Sequence, residues 1–179
     1  MIIGIIAPPA HGKSSLLKSI INDLPGTPEF IEPQKLFRCT KYDDILCLGQ
    51  YDSTEHSGLD SWSYSILGKG VFENFITEQV KAYRHILWEG DRIASKCEYM
   101  TENFITRIFM LSITKEQEKI RQDARGNKQN KQWIAGRHTQ LERYLTNFYL
   151  REHITVMPNN NLEEQNKIKN EIINLLYMK

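Results

Sequence analysis

The chain has 179 residues, which is enough for one α/β domain whose hydrophobic core needs no disulfide or structural metal. Its 23 basic and 22 acidic residues give a formal net charge of +1, which excludes a global charge excess as the basis for binding a polyanion. A surface for nucleic acid would therefore have to be a local patch of lysine and arginine.

Two features bear on the cellular compartment. The three cysteines, at positions 39, 47 and 97, lack the spacing of a zinc site or a disulfide framework, so buried thiols in a reducing compartment are expected. The N-terminal apolar run is short and lacks a basic flank, which predicts neither a signal peptide nor a membrane span. We expect a cytoplasmic protein with no membrane partner.

The first fifteen residues predict a phosphate-binding loop. The β-branched run at positions 2–6 predicts a buried parallel strand, and apolar residues at helical spacing follow Ser14. The segment between them matches G-x-x-x-x-G-K-[ST], except that Ala7 replaces the first glycine. Loop N–H groups would hold phosphates, Lys13 would reach the β/γ oxygens and Ser14 would ligate Mg²⁺. The predicted nucleotide-binding residues are Ala7, Pro8, Pro9, Ala10, His11, Gly12, Lys13, Ser14 and Ser15.

The remaining elements predict a doubly wound α/β fold with a roughly five-stranded, mainly parallel sheet in a single domain over 1–179. An insert is expected at about 36–70, and a lid at about 121–137. Strands are predicted at 36–40, 45–51, 85–89, 104–113 and 153–157, and helices at 71–83, 94–103, 115–124, 133–150 and 162–178.

The segment 52–70 is rich in serine, glycine, aspartate and aromatic residues, which is typical of a functional loop. If the acceptor is a hydroxyl, Asp52 or Asp60 could take its proton, with Glu89 as a further candidate. If the acceptor carries a base, Tyr51, Trp62 or Tyr64 could stack on it, although these aromatics could equally form a small core under the loop. The predicted substrate-binding residues are Tyr51, Asp52, His56, Asp60, Ser61 and Trp62.

Charged residues follow the strand at 85–89, at the edge of the sheet where α/β proteins bind ligands. Glu89 and Asp91 are the candidate carboxylates that hold Mg²⁺ together with Ser14 or orient a nucleophile. Arg92 adds a guanidinium that can clamp phosphate oxygens.

A basic segment of low apolar content at 121–137 predicts a lid. Lid arginines stabilise the charge of a transferring phosphoryl group, and closure of a lid excludes water. Arg121, Arg125 and Arg137 are the candidates, because Gly126 and Gly136 next to two of them indicate hinges.

Together these motifs resemble the P-loop kinases that phosphorylate nucleotides or small hydroxyl acceptors. Thymidylate-type kinases carry an Asp-Arg pair after a strand and arginines in a lid, matched here by Asp91-Arg92 and the three lid arginines. The chain departs from them at Ala7 and in its central insert.

Over about residues 2–145 the chain is more specifically similar to bacteriophage P-loop kinases of DNA hypermodification. The motifs are L-G-Q-Y-D at 48–52, H-S-G-L-D-S at 56–61 and W-E-G-D-R at 88–92. The resemblance implies a three-layer P-loop kinase fold that transfers the γ-phosphate of ATP, with Mg²⁺, to the hydroxymethyl group of 5-hydroxymethyluracil in DNA. It also implies the host cytoplasm if the protein is phage-encoded.

Two other functions stay open at this stage. A kinase for a free deoxynucleoside monophosphate or nucleoside would use the same donor site, and an NTP-binding regulatory ATPase would use it without an acceptor. The near-neutral charge argues against a DNA substrate, and the sequence leaves the choice between ATP and GTP open.

Overall fold

A seven-stranded sheet organises the part of the chain that the computed structural model describes, residues 1–51, 58–59, 62–68, 70–126 and 130–177. The strand order is β2-β3-β4-β5-β1-β6-β7, in which β4 to β7 and β1 run parallel and β2 and β3 are antiparallel additions at one edge. The strands are β1 (Ile2–Ile6), β2 (Glu29–Ile31), β3 (Cys39–Tyr42), β4 (Ile45–Leu48), β5 (His85–Glu89), β6 (Thr106–Ser112) and β7 (Ile154–Pro158).

Helices cover both faces of this sheet. Short 3₁₀ turns at Tyr64–Leu67, Ala94–Lys96 and Arg151–His153 complete the regular structure of the described residues. The helices are α1 (Lys13–Asp23), α2 (Val71–Ala82), α3 (Cys97–Asn103), α4 (Lys115–Ala124), α5 (Lys131–Thr146) and α6 (Leu162–Tyr177).

The side chains of β1 alternate between two hydrophobic cores, because successive residues of a strand point to opposite faces. Ile2 and Ile6 belong to a core shared with α2, α3 and α5. Ile3 and Ile5 belong to a core shared with α1 and α6. Every residue of β1 is buried, as expected for the central strand of a three-layer α/β fold.

The sequence predicted this α/β architecture correctly, and the five parallel strands correspond to the predicted sheet. The bounds of β5 and α4 agree with the prediction, and Thr114 caps α4 by accepting a hydrogen bond from the backbone N–H of Gln117 at 3.2 Å. The antiparallel pair β3 and β4 is present, with β3 shifted toward the turn. The edge strand β2 was not predicted, because three largely exposed residues carry no periodic signal.

The lid segment differs in form from the prediction. Its first part is the helix α4, none of whose residues is buried, and α5 begins at Lys131, before the predicted start at 133. Gly136 lies inside α5, so it is a helical residue and not a loop hinge.

The cysteines and the helices were also compared with the sequence analysis. Cys39, Cys47 and Cys97 are free and buried, as predicted, and burial raises the pKa of Cys39 and of Cys97 to about 12. Among the described residues, no helix combines the length and the apolar character needed to span a membrane.

Gly4 in β1 provides a test of the packing. A Cβ at this position would collide with the six-membered ring of Trp88 on the neighbouring strand β5, and Trp88 is itself fully buried. We expect Gly4→Ala to lower the free energy of unfolding by about 1–3 kcal/mol, the usual cost of overpacking. Urea unfolding followed by circular dichroism measures this change.

Gly136→Ala is the matched control, because a Cβ there meets nothing within 4 Å. Alanine has the higher helix propensity, so we expect this variant to be more stable by about 1 kcal/mol. A stabilised Gly4→Ala variant would contradict the packing of Trp88 on β1.

Candidate active site

The loop between β1 and α1 has the backbone form of an anion-binding loop. Gly12 has φ 89°, in the left-handed region, and precedes the first residue of α1. Ala10 also has a positive φ of 65°, which is uncommon for alanine and marks local strain in the loop. Ala7 is fully buried and is not among the residues with positive φ, so its Cβ fits the position that usually holds glycine.

Lys13 lies back across this loop. Its Nζ donates to the backbone oxygens of Ala7 at 2.8 Å and Pro8 at 3.2 Å, and it lies 3.8 Å from Oδ1 of Asp91. The second carboxylate oxygen of Asp91 lies 3.8 Å from Nε of Arg137 on α5. Asp91 therefore joins the loop lysine and an arginine of the lid segment in one chain of charges.

Ser14 and Glu89 form a pair of oxygen ligands at the start of α1 and the end of β5. Ser14 Oγ donates to Oε1 of Glu89 at 3.0 Å, and the Glu89 side chain is buried. A hydroxyl and a carboxylate at this spacing fit Mg²⁺, which takes few protein ligands and completes its shell with water and phosphate oxygens. In keeping with this, the described residues contain no cluster of three or more histidine, cysteine, aspartate or glutamate side chains suited to a metal.

A cleft of about 480 Å³ opens beside these residues, which is within the range of ligand sites. One wall comes from the phosphate loop and the β5 end, and the other comes from α5 and the insert. The lining residues are Pro9, Ala10, Gly12, Lys13, Ser14, Leu59, Leu67, Glu89, Gly90, Asp91, Arg92, Ser95, Arg125, Trp133, Arg137 and Gln140.

The lid arginines separate into two groups. Of the three predicted lid arginines, Arg125 and Arg137 line this cleft and Arg121 does not. Nη2 of Arg121 donates to the backbone oxygens of Asn159 at 2.7 Å and Asn160 at 3.0 Å, and desolvation lowers its pKa. Carbonyls of the β7-α6 loop therefore hold Arg121 apart from the other two, and the role of all three in catalysis stays a prediction.

A second cavity of about 300 Å³ lies where Arg121 is held, and Gly12 lines both cavities. Its lining combines an arginine, two amides and an apolar side chain, which is a surface suited to a planar polar ring. The residues are Gly12, Ser15, Arg121, Asn161, Leu162 and Gln165.

The insert contributes less to the cleft than its composition indicated. Trp62 is 2% exposed and packs against Phe37 and Phe75, with ring centroids 5.1 and 5.8 Å away, so its indole is in the core and cannot stack on an acceptor. Arg92 lines the cleft and donates from Nη1 to the backbone oxygen of Trp62, which ties the β5 end to the insert.

The other predicted substrate residues have different outcomes. Tyr51 is half-buried, and its ring lies 3.2 Å from the place of a Cβ on Gly58. The predictions for Asp52, His56, Asp60 and Ser61 fall outside the described residues.

His11 is a buried member of the phosphate loop. Its Nδ1 lies 2.9 Å from the backbone oxygen of Pro9, so Nδ1 carries the proton. Desolvation lowers the pKa of His11 to about 4. Its ring also lies edge-on to His138 of α5 at 5.7 Å between centroids, and Nε2 of His138 is 2.9 Å from Oε1 of Glu118, so α5 links the loop to α4.

Several residues of the site were not singled out from the sequence. Trp133 and Gln140 lie on the helix that carries Arg137, one turn before and one turn after it, so helical spacing from Arg137 could have found them. Glu118, His138 and Asn159 carry no motif, and only the tertiary structure brings them to the loop.

Comparison with known proteins gives likenesses among solved structures alone. No model of a protein family matches the chain, and no curated protein matches it either. Among solved structures, it is similar to a shikimate kinase from Bacteroides thetaiotaomicron, with 12% sequence identity, a TM-score of 0.49 and coverage of 99% of each chain. At this identity and score, neither the activity nor the substrate of that protein transfers to this chain.

The buried His11 predicts a pH dependence of stability. Because its folded pKa is near 4 and its unfolded value is 6.5, the unfolded state binds more protons between these values. We expect the free energy of unfolding to have its full value above pH 6.5. It should fall by roughly 3 kcal/mol as the pH drops from 6.5 to 4.

Urea unfolding of the wild type and of His11→Gln from pH 4 to pH 7.5 tests the expectation. The variant should lose most of this slope, because it has no imidazole to protonate. An unchanged slope in His11→Gln would assign the pH dependence to other groups.

Proposed function

We propose that the protein is a Mg²⁺-dependent kinase that transfers the γ-phosphate of ATP to a hydroxyl group. The observation that carries the proposal is the convergence of Lys13, Ser14, Glu89, Asp91 and Arg137 on one cleft. A phosphate loop alone would serve a switch or a motor equally well. Arginines on the facing wall of the same cleft favour phosphoryl transfer, in which negative charge spreads over the oxygens of the moving group.

Each residue has a role in this scheme. The loop N–H groups and Lys13 bind the donor phosphates, and Ser14 and Glu89 would hold Mg²⁺, with Asp91 supporting it through water. Magnesium would supply charge neutralisation at the β/γ oxygens. Arg125 and Arg137 would stabilise the transferring group, and the second cavity, beside Ser15 and Arg121, would receive the nucleobase of the donor.

Both carboxylates at the end of β5 already have partners within the cleft. Oδ1 of Asp91 lies 3.8 Å from Nζ of Lys13, and Oδ2 lies 3.8 Å from Nε of Arg137. Glu89 is occupied by the Ser14 hydroxyl. The sequence-based candidates Asp52 and Asp60 therefore stay the proposed bases, and Asp52→Asn and Asp60→Asn would separate them.

For the acceptor, we propose the 5-hydroxymethyl group of 5-hydroxymethyluracil in DNA. The motif resemblance supports this choice, and so does Trp133, which lines the cleft with 41% of its surface exposed and Arg137 over its ring at 5.3 Å. An exposed indole beside arginines is a surface on which a base can stack. The same surface would suit a free deoxynucleoside monophosphate or nucleoside, which is the second candidate.

One assay separates these functions. Labelled ATP is offered with DNA containing 5-hydroxymethyluracil, with its free nucleotide, with unmodified DNA and with no acceptor. We expect label to move to the modified DNA only. Label on the free nucleotide but not on the polymer would reject the DNA acceptor, and release of phosphate without any labelled acceptor would indicate a regulatory ATPase.

Lys13→Ala tests the donor site. We expect transfer to fall by about 10³-fold or more, because an unbalanced negative charge is left on the β/γ phosphates. Lys18→Ala is the matched control, since Lys18 is an exposed residue of the same helix. Full activity in Lys13→Ala would overturn the assignment of the phosphate loop.

Arg137→Ala tests the facing wall of the cleft. We expect kcat to fall by about 10²-fold or more, with a smaller change in the KM for ATP, because the guanidinium acts mainly on charge that develops in the transition state. Arg143→Ala, at an exposed position of the same helix, should keep wild-type kinetics. Equal kinetics in the two variants would contradict a role of α5 in catalysis.

A further inference from the structure

Asn159, the first residue after β7, lies completely buried beneath the phosphate loop. Its backbone N–H donates to the oxygen of Ser112 at 2.8 Å, and its backbone oxygen accepts from Arg121. These two bonds fix the backbone of Asn159 and leave its side chain pointing at the loop. There, Nδ2 donates to the backbone oxygen of His11 at 2.7 Å.

The bond to His11 orients a peptide group of the phosphate loop. The oxygen of His11 and the N–H of Gly12 belong to the same planar trans peptide, so they point in opposite directions. Holding the oxygen toward Asn159 therefore turns the N–H of Gly12 away from Asn159. Gly12 lines the cleft proposed for the donor phosphates.

The packing around Gly12 supports a specific role for the amide. A Cβ on Gly12 would lie 2.7 Å from Nδ2 of Asn159, so glycine is the residue that lets the amide approach. The Oδ1 atom of Asn159 is buried and has no hydrogen-bond partner among the described residues. An unpaired buried oxygen is costly, so a mere space-filling role would be better served by an apolar side chain.

We infer that Asn159 is a positioning residue, which sets the direction of the Gly12 N–H through the His11 carbonyl and so prepares the loop for phosphate. It does not contact the reacting atoms itself. The inference rests on the proposed nucleotide binding by the same loop. Since the two backbone bonds of Asn159 do not involve its side chain, substitutions should keep the β7-α6 loop in place.

The test compares Asn159→Ala and Asn159→Asp with the wild type by calorimetric titration of Mg·ATP at pH 8 and pH 5.5. We expect Asn159→Ala to bind about tenfold more weakly at both values, the effect of one lost hydrogen bond. We expect Asn159→Asp to bind more weakly still at pH 8, because its carboxylate repels the His11 oxygen. At pH 5.5 its affinity relative to wild type should recover at least in part, because complete burial next to a carbonyl oxygen raises the pKa of the introduced carboxyl, and its protonated form can donate to that oxygen.

Asn103→Asp is the matched control, since the Asn103 amide also donates to a backbone carbonyl, that of Tyr99 at 2.8 Å, but lies on α3. It should bind Mg·ATP like the wild type at both pH values. Thermal melting of each variant accompanies the titrations, so that a folding defect is detected directly.

The outcomes are distinct. Wild-type affinity in Asn159→Ala overturns the inference. A loss in Asn159→Asp that is unchanged relative to wild type at pH 5.5 also overturns it, because a purely structural defect would not respond to protonation of the new carboxyl. If the wild type itself does not bind Mg·ATP, the proposed function fails instead.

Discussion

The complete burial of β1 between β5 and β6 is the constraint on which the site depends. A parallel strand with neighbours on both sides has a fixed position, and its carboxyl end emerges at the same sheet edge as that of β5. The register pairs Ile5 with Glu89, so the phosphate loop begins beside the carboxylate at the end of β5. The pairing of Ser14 with Glu89 follows from this geometry, because α1 must return over the sheet directly after the loop.

Ion pairs of Asp91 connect three elements of the site. Lys13 belongs to the loop, Asp91 follows β5 and Arg137 belongs to α5, so three separate elements meet through one carboxylate. Both ion pairs are 3.8 Å long and partly exposed, so each contributes little to stability in itself. Their arrangement matters more for function, because a donor phosphate entering the loop would offer Lys13 and Arg137 a stronger anionic partner than Asp91.

The sequence predicted those parts of the structure that depend on local patterns. The strand β5 and the helix α4 were recognised with correct bounds, since a short apolar run and the Thr114 cap are local signals. The environment of Trp62 could not be predicted from local sequence patterns. An aromatic residue in a loop rich in serine and glycine looks the same in sequence whether it faces a ligand or the core, and only its contacts with Phe37 and Phe75 decide the matter.

Arg121 and Asn159 show the same limit for polar residues. Arg121 and Arg125 are one helical turn apart and of the same type, yet Arg125 lines the cleft while Arg121 binds carbonyls 38 and 39 positions later. The bond from Asn159 to His11 spans 148 positions, and nothing in the sequence around either residue predicts it. The partners of buried polar groups are determined by the tertiary fold. Such hydrogen bonds therefore cannot be predicted from residues that are close together in the sequence.

The position of the phosphate loop also explains why cavities lie on both sides of it in the described part of the chain. The strand order changes direction at β1: the chain reaches β4 and β5 on one side of it before crossing to β6 and β7 on the other. The loop after β1 therefore has the β5 end and the insert on one flank and the β7-α6 loop on the other. Gly12 lines both cavities. Because it has no side chain, the amide of Asn159 can approach it closely. In the proposed kinase, the nucleobase of the donor would lie on one flank of this loop and the acceptor on the other, with the phosphates between them, which is the arrangement that transfer requires.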